Sequence, residues 1–197
     1  ALDDENVAIQ VDGAFNMAQR VSDFNLQASV KNFRPHALNL SDKYVDSDIS
    51  MKLTADFTGR SIDDLKGFIL LDSLNLNAPD EQAYFLDNLT IIADSNKEGK
   101  DIRIESPFMN ASIQGNFSLQ NLPNCIMHTM EQYLPSLVDD KHLSHITSND
   151  IHFDIRVENT EVFEKVLHIP VQMHMPSTLK GYFNEKDNSL RVEGFFP

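Results

Sequence analysis

The stretch SDISMKLTADF, residues 47–57, alternates apolar and polar side chains without interruption. Its apolar members are Ile49, Met51, Leu53, Ala55 and Phe57, and the residues between them are serine, lysine, threonine and aspartate. Successive side chains of an extended strand point to opposite faces, so the alternation predicts a strand with one apolar and one solvated face. Strands of this kind are typical of antiparallel sheets.

The alternation recurs throughout the chain and is clearest in NDIHFDIRVEN, residues 149–159. Polar turn sequences separate the runs: DSNKEGKD at 94–101 and NEKDNS at 184–189 each predict a hairpin. The apolar positions of the later runs include Leu89, Ile91, Ile102, Ile104, Ile113, Ile151, Phe153, Ile155 and Val157. The sequence therefore predicts a mainly β protein.

Two segments depart from this period. Residues 121–137 carry apolar side chains at steps of three and four, which predicts one main α-helix, and residues 159–168 predict a shorter one. Ser61 is expected to cap a helical turn ahead of two aspartates. Because no linker rich in Gly, Ser or Pro divides residues 1–197, we expect one continuous unit, with a soft division near 121–145.

The formal net charge of −14 opposes binding to nucleic acid and to anionic lipid headgroups, both of which need clustered cations. Among the seven histidines, His142 and His145 follow two aspartates at 139 and 140. A metal or hydrolase site at 139–152 is the weakest hypothesis. Histidines are common just beyond a helix C-terminus, because their positive charge interacts favourably with the negative end of the helix dipole. With no nucleophile elbow, phosphate loop or Cys–His signature, the sequence indicates a protein that is not an enzyme and needs no cofactor.

A glycine recurs in a similar context four times. TLKGYFNE at 178–185 matches LKGFILL at 65–71, and SIQGNFSL at 112–119 and QVDGAFNM at 10–17 are looser copies. In each, a bulky apolar residue stands two positions after the glycine. We interpret these glycines as strand punctuation, where a sheet bends or two backbones approach closely.

The apolar face itself has two interpretations. It is either the dry core of a two-layer β structure or the wall of a groove that holds apolar molecules such as acyl chains. Both structures require the same alternation, so periodicity alone does not choose between them.

Two long stretches, 38–76 and 84–123, resemble the AsmA-like superfamily, in particular its TamB-like translocation and assembly module proteins of Bacteroidetes-type envelopes. The resemblance rests on TGRSIDDLKG leading into a strand, on LDNLTIIA followed by a polar turn and IRIESPFMNASIQGNF, and on YLPSL in the predicted helix. A third stretch, LHIPVQMHMPSTLKGYFNEKDNSLRVEGFFP at 167–197, follows the same pattern, so this likeness of pattern covers most of the chain.

The resemblance implies a long, curled, antiparallel or mixed sheet with an apolar concave face, open along one side like a groove. It also implies an internal or C-terminal-side segment of a periplasmic envelope protein whose inner-membrane anchor lies outside these residues. The function it implies is phospholipid transfer between membranes or outer-membrane assembly. The expected partners are lipid acyl chains, neighbouring segments of the full-length protein and an outer-membrane assembly protein.

On this interpretation the groove is lined by the inward-facing apolar residues of the strands. They are Ile49, Met51, Leu53, Phe57, Leu89, Ile91, Ile102, Ile104, Ile113, Ile151, Phe153, Ile155 and Val157. The alternative is a structural β domain with a closed hydrophobic core that binds a partner strand at its edge.

Overall fold

The described part of the chain forms one sheet of eleven strands, each hydrogen-bonded to its neighbours in sequence. The computed structural model describes residues 1–16, 22–41, 45–78, 83–97, 99–121, 149–166, 172–187 and 189–197. The strands are β1 Leu2–Asp4, β2 Val7–Asn16, β3 Ser22–Phe33, β4 Asp48–Gly59, β5 Lys66–Asn77, β6 Tyr84–Asn96, β7 Gly99–Glu105, β8 Met109–Asn116, β9 Asp150–Val157, β10 Ser177–Asn184 and β11 Ser189–Phe195.

The prediction of a mainly β fold is confirmed, and every strand pair in the described residues is antiparallel rather than mixed. The two predicted hairpins are also confirmed. Asn96 pairs with Gly99 at the end of β6 and β7, and Asn184 pairs with Ser189 at the end of β10 and β11. The sheet is not closed, because β1 and β11 stand at its opposite edges.

Short helical turns lie at two of the connections. Ile62–Asp64 is a single 3-10 turn, and Ser61 caps it as predicted, since its hydroxyl accepts from the Asp63 amide while the Asp64 carboxylate accepts from the Ser61 amide. The helix α1, Glu161–Lys165, falls inside the segment predicted to be helical at 159–168. Both elements are brief additions to the sheet.

The main helix predicted for 121–137 lies outside the described residues, apart from Asn121, which ends a turn. So does most of the predicted soft division near 121–145. On either side of this segment, β8 and β9 pair along their whole length, from Met109 opposite Val157 to Asn116 opposite Asp150. The sheet therefore continues from one half of the sequence to the other.

Polar and apolar residues separate onto the two faces of most strands, as the alternation predicted, but Phe68 and Leu70 of β5 and Ile92 of β6 lie on the face with the polar side chains. Lys180 lies directly opposite Asp154 on the polar face, and their side chains form an ion pair of 2.8 Å. Lys66 and Asp94 form another on the same face, at 3.2 Å. Because these four side chains are well exposed to water, the pairs add little to stability.

Buried apolar residues collect at the two ends of the strands rather than across the middle of the apolar face. One cluster, which we call the helix rim, contains Leu76, Tyr84, Leu86, Phe108 and Val162. The other, which we call the polar rim because hydrogen-bonded groups surround it, contains Phe117, Ile151 and Phe183. Ala55 is the small buried residue between them.

Candidate functional site

The strand register aligns apolar residues into continuous rows that run across the sheet, perpendicular to the strands. Residues directly opposite each other in an antiparallel pair share one face, so following the pairs from strand to strand traces a row. The first row is Gly13, Leu26, Ala55, Ile69, Ile91, Ile104, Ala111, Ile155, Leu179 and Gly194. It runs from β2 to β11 without a polar side chain.

A second row runs beside the first, nearer the polar rim. It consists of Phe24, Phe57, Gly67, Ala93, Ile102, Ile113, Phe153, Gly181 and Val192. Neighbouring strands lie about 4.8 Å apart, so each row spans roughly 40 Å. The two rows form an apolar band about as long as the sheet is wide.

All thirteen residues that the sequence predicted for the groove lie on this face. Seven of them belong to the two rows. The other six, among them Leu53 and Leu89, lie on the same face of the same strands, two or more residues along the strand from the nearer row. Ile151 is buried in the polar rim. The other twelve are partly exposed. In the described residues, therefore, the rims of the face are covered more fully than its centre.

The recurring glycines all lie in strands on this face, which agrees with their interpretation as strand punctuation. Gly67 and Gly115 have φ angles of 140° and 136°, which side chains rarely allow. A Cβ at Gly67 would overlap the Asp56 carbonyl oxygen, and one at Gly115 would overlap the Asp150 carbonyl oxygen. At both positions glycine is required by a close approach of the neighbouring strand.

A cavity of about 250 Å³ opens on the apolar face where the two rows cross β4 to β7. Its floor includes Gly67 and Ala93, which lie opposite each other in the second row. Its walls are completed by Ile62 from the 3-10 turn, by Leu65 directly after that turn and by Leu119 from the chain after β8. The cavity has depth because these two small residues adjoin in the row between the larger Phe57 and Ile102.

An ion pair closes the polar-rim side of this cavity. Lys100 Nζ lies 2.6 Å from Asp63 Oδ1, also donates to the Phe117 carbonyl oxygen, and stands 5.3 Å from the centre of the Phe117 ring. The Lys100 side chain is 14% exposed and that of Asp63 is 29% exposed. The positive charge of Lys100 is therefore matched by a carboxylate within the site.

Asp63 holds three separate segments together. Its carboxylate accepts from Lys100 in β7, from the Ser118 hydroxyl at 2.8 Å and from the Leu119 amide at 2.6 Å. Burial alone would raise the pKa of Asp63, but these hydrogen bonds and the charge of Lys100 outweigh it and hold the pKa below its usual value. The ionised carboxylate is thus the form that the folded structure stabilises.

A second hydrogen-bonded cluster at the same rim centres on Asn149, which is completely buried. Its side-chain oxygen accepts from the Ser118 amide at 3.0 Å, and its side-chain nitrogen donates to Glu185 Oε2 at 2.9 Å. The backbone amide of Asn149 donates to the same Glu185 oxygen at 3.0 Å. This cluster joins the chain after β8 to the turn between β10 and β11.

The helix rim is closed by apolar packing instead. Val162 of α1 is buried in the cluster, and the ring of Phe163 meets that of Phe108 edge to face at a centroid distance of 5.9 Å. The Phe108 carbonyl accepts from the Glu158 amide at 2.7 Å, which fixes the chain that enters α1. The helix thereby extends from the end of β9 over the ends of β5 and β6.

The sequence analysis missed the residues that give the face its local shape. Ile69 lies in the first row, Gly67 and Ala93 make the cavity floor, and Lys100 and Asp63 close one side of it. Ile69 could have been found by treating Gly67 as an apolar-face position and extending the alternation through LKGFILL, and Ala93 follows Leu89 and Ile91 in an alternating run that the sequence already shows. The ion pair had no sequence signal, because its partners are 37 residues apart.

The weakest hypothesis, a metal or hydrolase site at 139–152, falls largely outside the described residues, where His142 and His145 lie. Within the described ranges, no three His, Cys, Asp or Glu side chains come together in a way that could hold a metal ion. In the same part of the chain, no helix has the length and apolar character needed to cross a membrane. That the protein is not an enzyme therefore stays a prediction from the sequence.

Comparison of this chain with known protein families, curated proteins and solved structures identifies no related protein. No family model matches the sequence, and no curated protein or solved structure matches it at a significant level. The resemblance to AsmA-like and TamB-like proteins therefore stays a prediction, and the case for a function rests on the sheet itself.

Proposed function

We propose that this chain is a non-enzymatic segment of a cell-envelope protein whose apolar face carries lipid acyl chains between membranes or during outer-membrane assembly. The single observation that carries the proposal is the pair of unbroken apolar rows from β3 to β11. Any sheet with one apolar face has such rows, so the burial of the residues in them is what distinguishes an open band from a closed core.

The distribution of burial supports an open band over a closed core. In a two-layer sandwich the centre of the inner face is the most buried part, because a second sheet packs on it. Here the described residues form one sheet, and the buried clusters lie at the helix rim and the polar rim. Central residues such as Leu53, Ile104 and Ile155 are only partly buried.

The dimensions and chemistry of the band suit a hydrocarbon chain. Its length of roughly 40 Å exceeds the depth of one leaflet, about half of the ~30 Å hydrocarbon core of a bilayer. Each methylene removed from water contributes about 0.8 kcal/mol whatever its position along the band. A chain that slides along the rows therefore keeps its contacts without needing directional hydrogen bonds, which suits transfer rather than fixed binding.

The proposal is tested by placing a photo-crosslinking amino acid at Leu53 or Ile155 in the full chain and illuminating it with phospholipid vesicles. Matched controls carry the crosslinker at Lys52 and Arg156, which are the adjacent residues on the polar face. We expect lipid adducts, detected by mass spectrometry, at the two apolar positions and far fewer at the controls. Equal capture at all four positions, or capture at none, would contradict the proposal.

The proposed cellular setting follows from the same hypothesis and from the sequence resemblance. A segment of this kind would stand in the periplasm, with the inner-membrane anchor and an outer-membrane assembly partner supplied by other parts of a longer protein or by other chains. Fractionation of cells that produce the native protein tests this setting, and recovery in the cytoplasmic fraction would overturn it.

A second candidate function is supported by the edge of the sheet. Among the described strands β11 pairs only with β10, and Leu190, Val192 and Phe195 on it are exposed. An unpaired strand edge with exposed apolar side chains can bind an extended partner strand. Proline at Val192 would block such pairing, so a pull-down with an envelope extract that is unchanged by Val192→Pro would exclude this function.

A further inference from the structure

The cavity above Gly67 and Ala93 is enclosed on several sides. Ile62 of the 3-10 turn and Leu65 directly after it supply one wall, and Leu119 supplies another. A molecule that reaches this place meets apolar groups from several directions, so it loses more contact with water than it does on the open rows.

The charges around the cavity select an occupant without a charge. Lys100 is the cation nearest to it, and Asp63 neutralises that cation at 2.6 Å while the Phe117 carbonyl occupies another of its donors. The Asp63 carboxylate is in turn held by Ser118 and the Leu119 amide. A carboxylate or phosphate would have to displace these partners, whereas a hydrocarbon segment would not.

We propose that this cavity is a binding site for one uncharged hydrocarbon segment, the terminal methylenes of a single alkyl chain. The proposal rests on the proposed function and refines it, because it gives the band a fixed stopping place. A volume of about 250 Å³ is ample for this role, since an apolar cavity of roughly 150 Å³ already binds benzene.

The test compares two alanines that lie on the same apolar face. Ala93 forms part of the cavity floor, while Ala111 lies in the first row on β8, away from the cavity. The uncharged fluorophore N-phenyl-1-naphthylamine is titrated into the full chain, and 1-dodecanol and dodecanoate then compete for it. Far-UV circular dichroism and thermal unfolding confirm that each variant is folded.

We expect Ala93→Leu to weaken probe binding by roughly tenfold, the effect of excluding about two methylene groups from an apolar site. Ala111→Leu should bind the probe nearly as the parent does. The alcohol should compete at least as well as the carboxylate, because the paired Lys100 offers an anion no free charge. Equal binding by the parent and Ala93→Leu, or much stronger competition by dodecanoate, overturns the proposal.

A second variant keeps the test informative should Ala93→Leu fail to fold. Ile62 is 54% exposed on the cavity wall, so Ile62→Asp adds a charge there at little cost to the fold. Val192→Asp is its control, because Val192 is 47% exposed at the far end of the second row. Weaker probe binding in Ile62→Asp alone supports the site, and unchanged binding overturns it.

The outcomes separate this site from the wider function. Lipid capture at Ile155, four strands along the sheet from β5, reports on the band and does not need the cavity. If Ile155 captures lipid while Ala93→Leu binds the probe normally, the cavity proposal fails and the transfer proposal stands. If the probe binds in the cavity but no lipid is captured at Leu53 or Ile155, the protein holds a small apolar ligand and the transfer proposal fails.

Discussion

The two rims of the apolar face are closed by different interactions. At the helix rim, Phe108, Val162 and Phe163 exclude water by packing, with an aromatic pair at its centre. At the polar rim, the Asp63–Lys100 ion pair and the buried Asn149–Glu185 hydrogen bonds tie distant segments together. Packing is insensitive to pH, whereas an ion pair depends on the protonation of its partners. The two rims should therefore respond differently to the same conditions.

The largest effect is expected at the helix rim. Phe108→Ala removes a buried ring and leaves a cavity beside Phe163, which should lower the free energy of unfolding by about 3–5 kcal/mol. Urea denaturation followed by circular dichroism measures this. Phe108→Leu is the matched control and should lose much less. If Phe108→Ala costs no more than Phe108→Leu, α1 does not pack on the sheet as described.

A smaller loss is expected at the polar rim. Asp63→Ala leaves Lys100, the Ser118 hydroxyl and the Leu119 amide without their carboxylate, at a cost of about 1–3 kcal/mol. The same denaturation experiment measures it. Asp64→Ala serves as the comparison, because the Asp64 carboxylate accepts from the amide and hydroxyl of Ser61, three residues away in sequence. Equal losses for the two variants would show that Asp63 merely caps the turn rather than joining segments.

The pH dependence distinguishes the rims most directly. Because the pKa of Asp63 is lowered in the folded state, its contribution is complete above the unfolded value near 3.8 and is lost as pH falls through the lower folded value. The stability difference between the parent and Asp63→Asn should therefore shrink as pH falls from 6 toward 3. The difference between the parent and Phe108→Leu should stay constant. A parallel decline in both would contradict the assignment.

The smallest effect is expected on the polar face, away from both rims. Lys180→Met breaks the exposed ion pair with Asp154, which should change the free energy of unfolding by less than about 1 kcal/mol. Raising the salt concentration should reduce even this difference, while the partly buried Asp63–Lys100 pair is screened less. A salt response of equal size at both pairs would show that the polar rim is open to water.

The sequence by itself determined the fold class and the composition of each face. Alternation in residues such as Ile49, Met51 and Leu53 requires a strand with one apolar side, because the side-chain period of a strand is two. The turns at 94–101 and 184–189 set two hairpins, because their polar residues cannot continue an apolar face. The capped turn at Ser61 was predictable from local sequence alone, because Ser61 stands just ahead of two aspartates.

Only the tertiary structure decided how these strands combine into a surface. The alternation predicts that Ile91 and Ile155 each lie on the apolar face. Only the register in which the strands pair places them in one row. The cavity depends on Gly67 of β5 lying opposite Ala93 of the adjacent strand β6. The polar rim depends on the ion pair between Asp63 and Lys100. Such contacts join residues far apart in the chain, and local propensity carries no information about which distant residues will become neighbours.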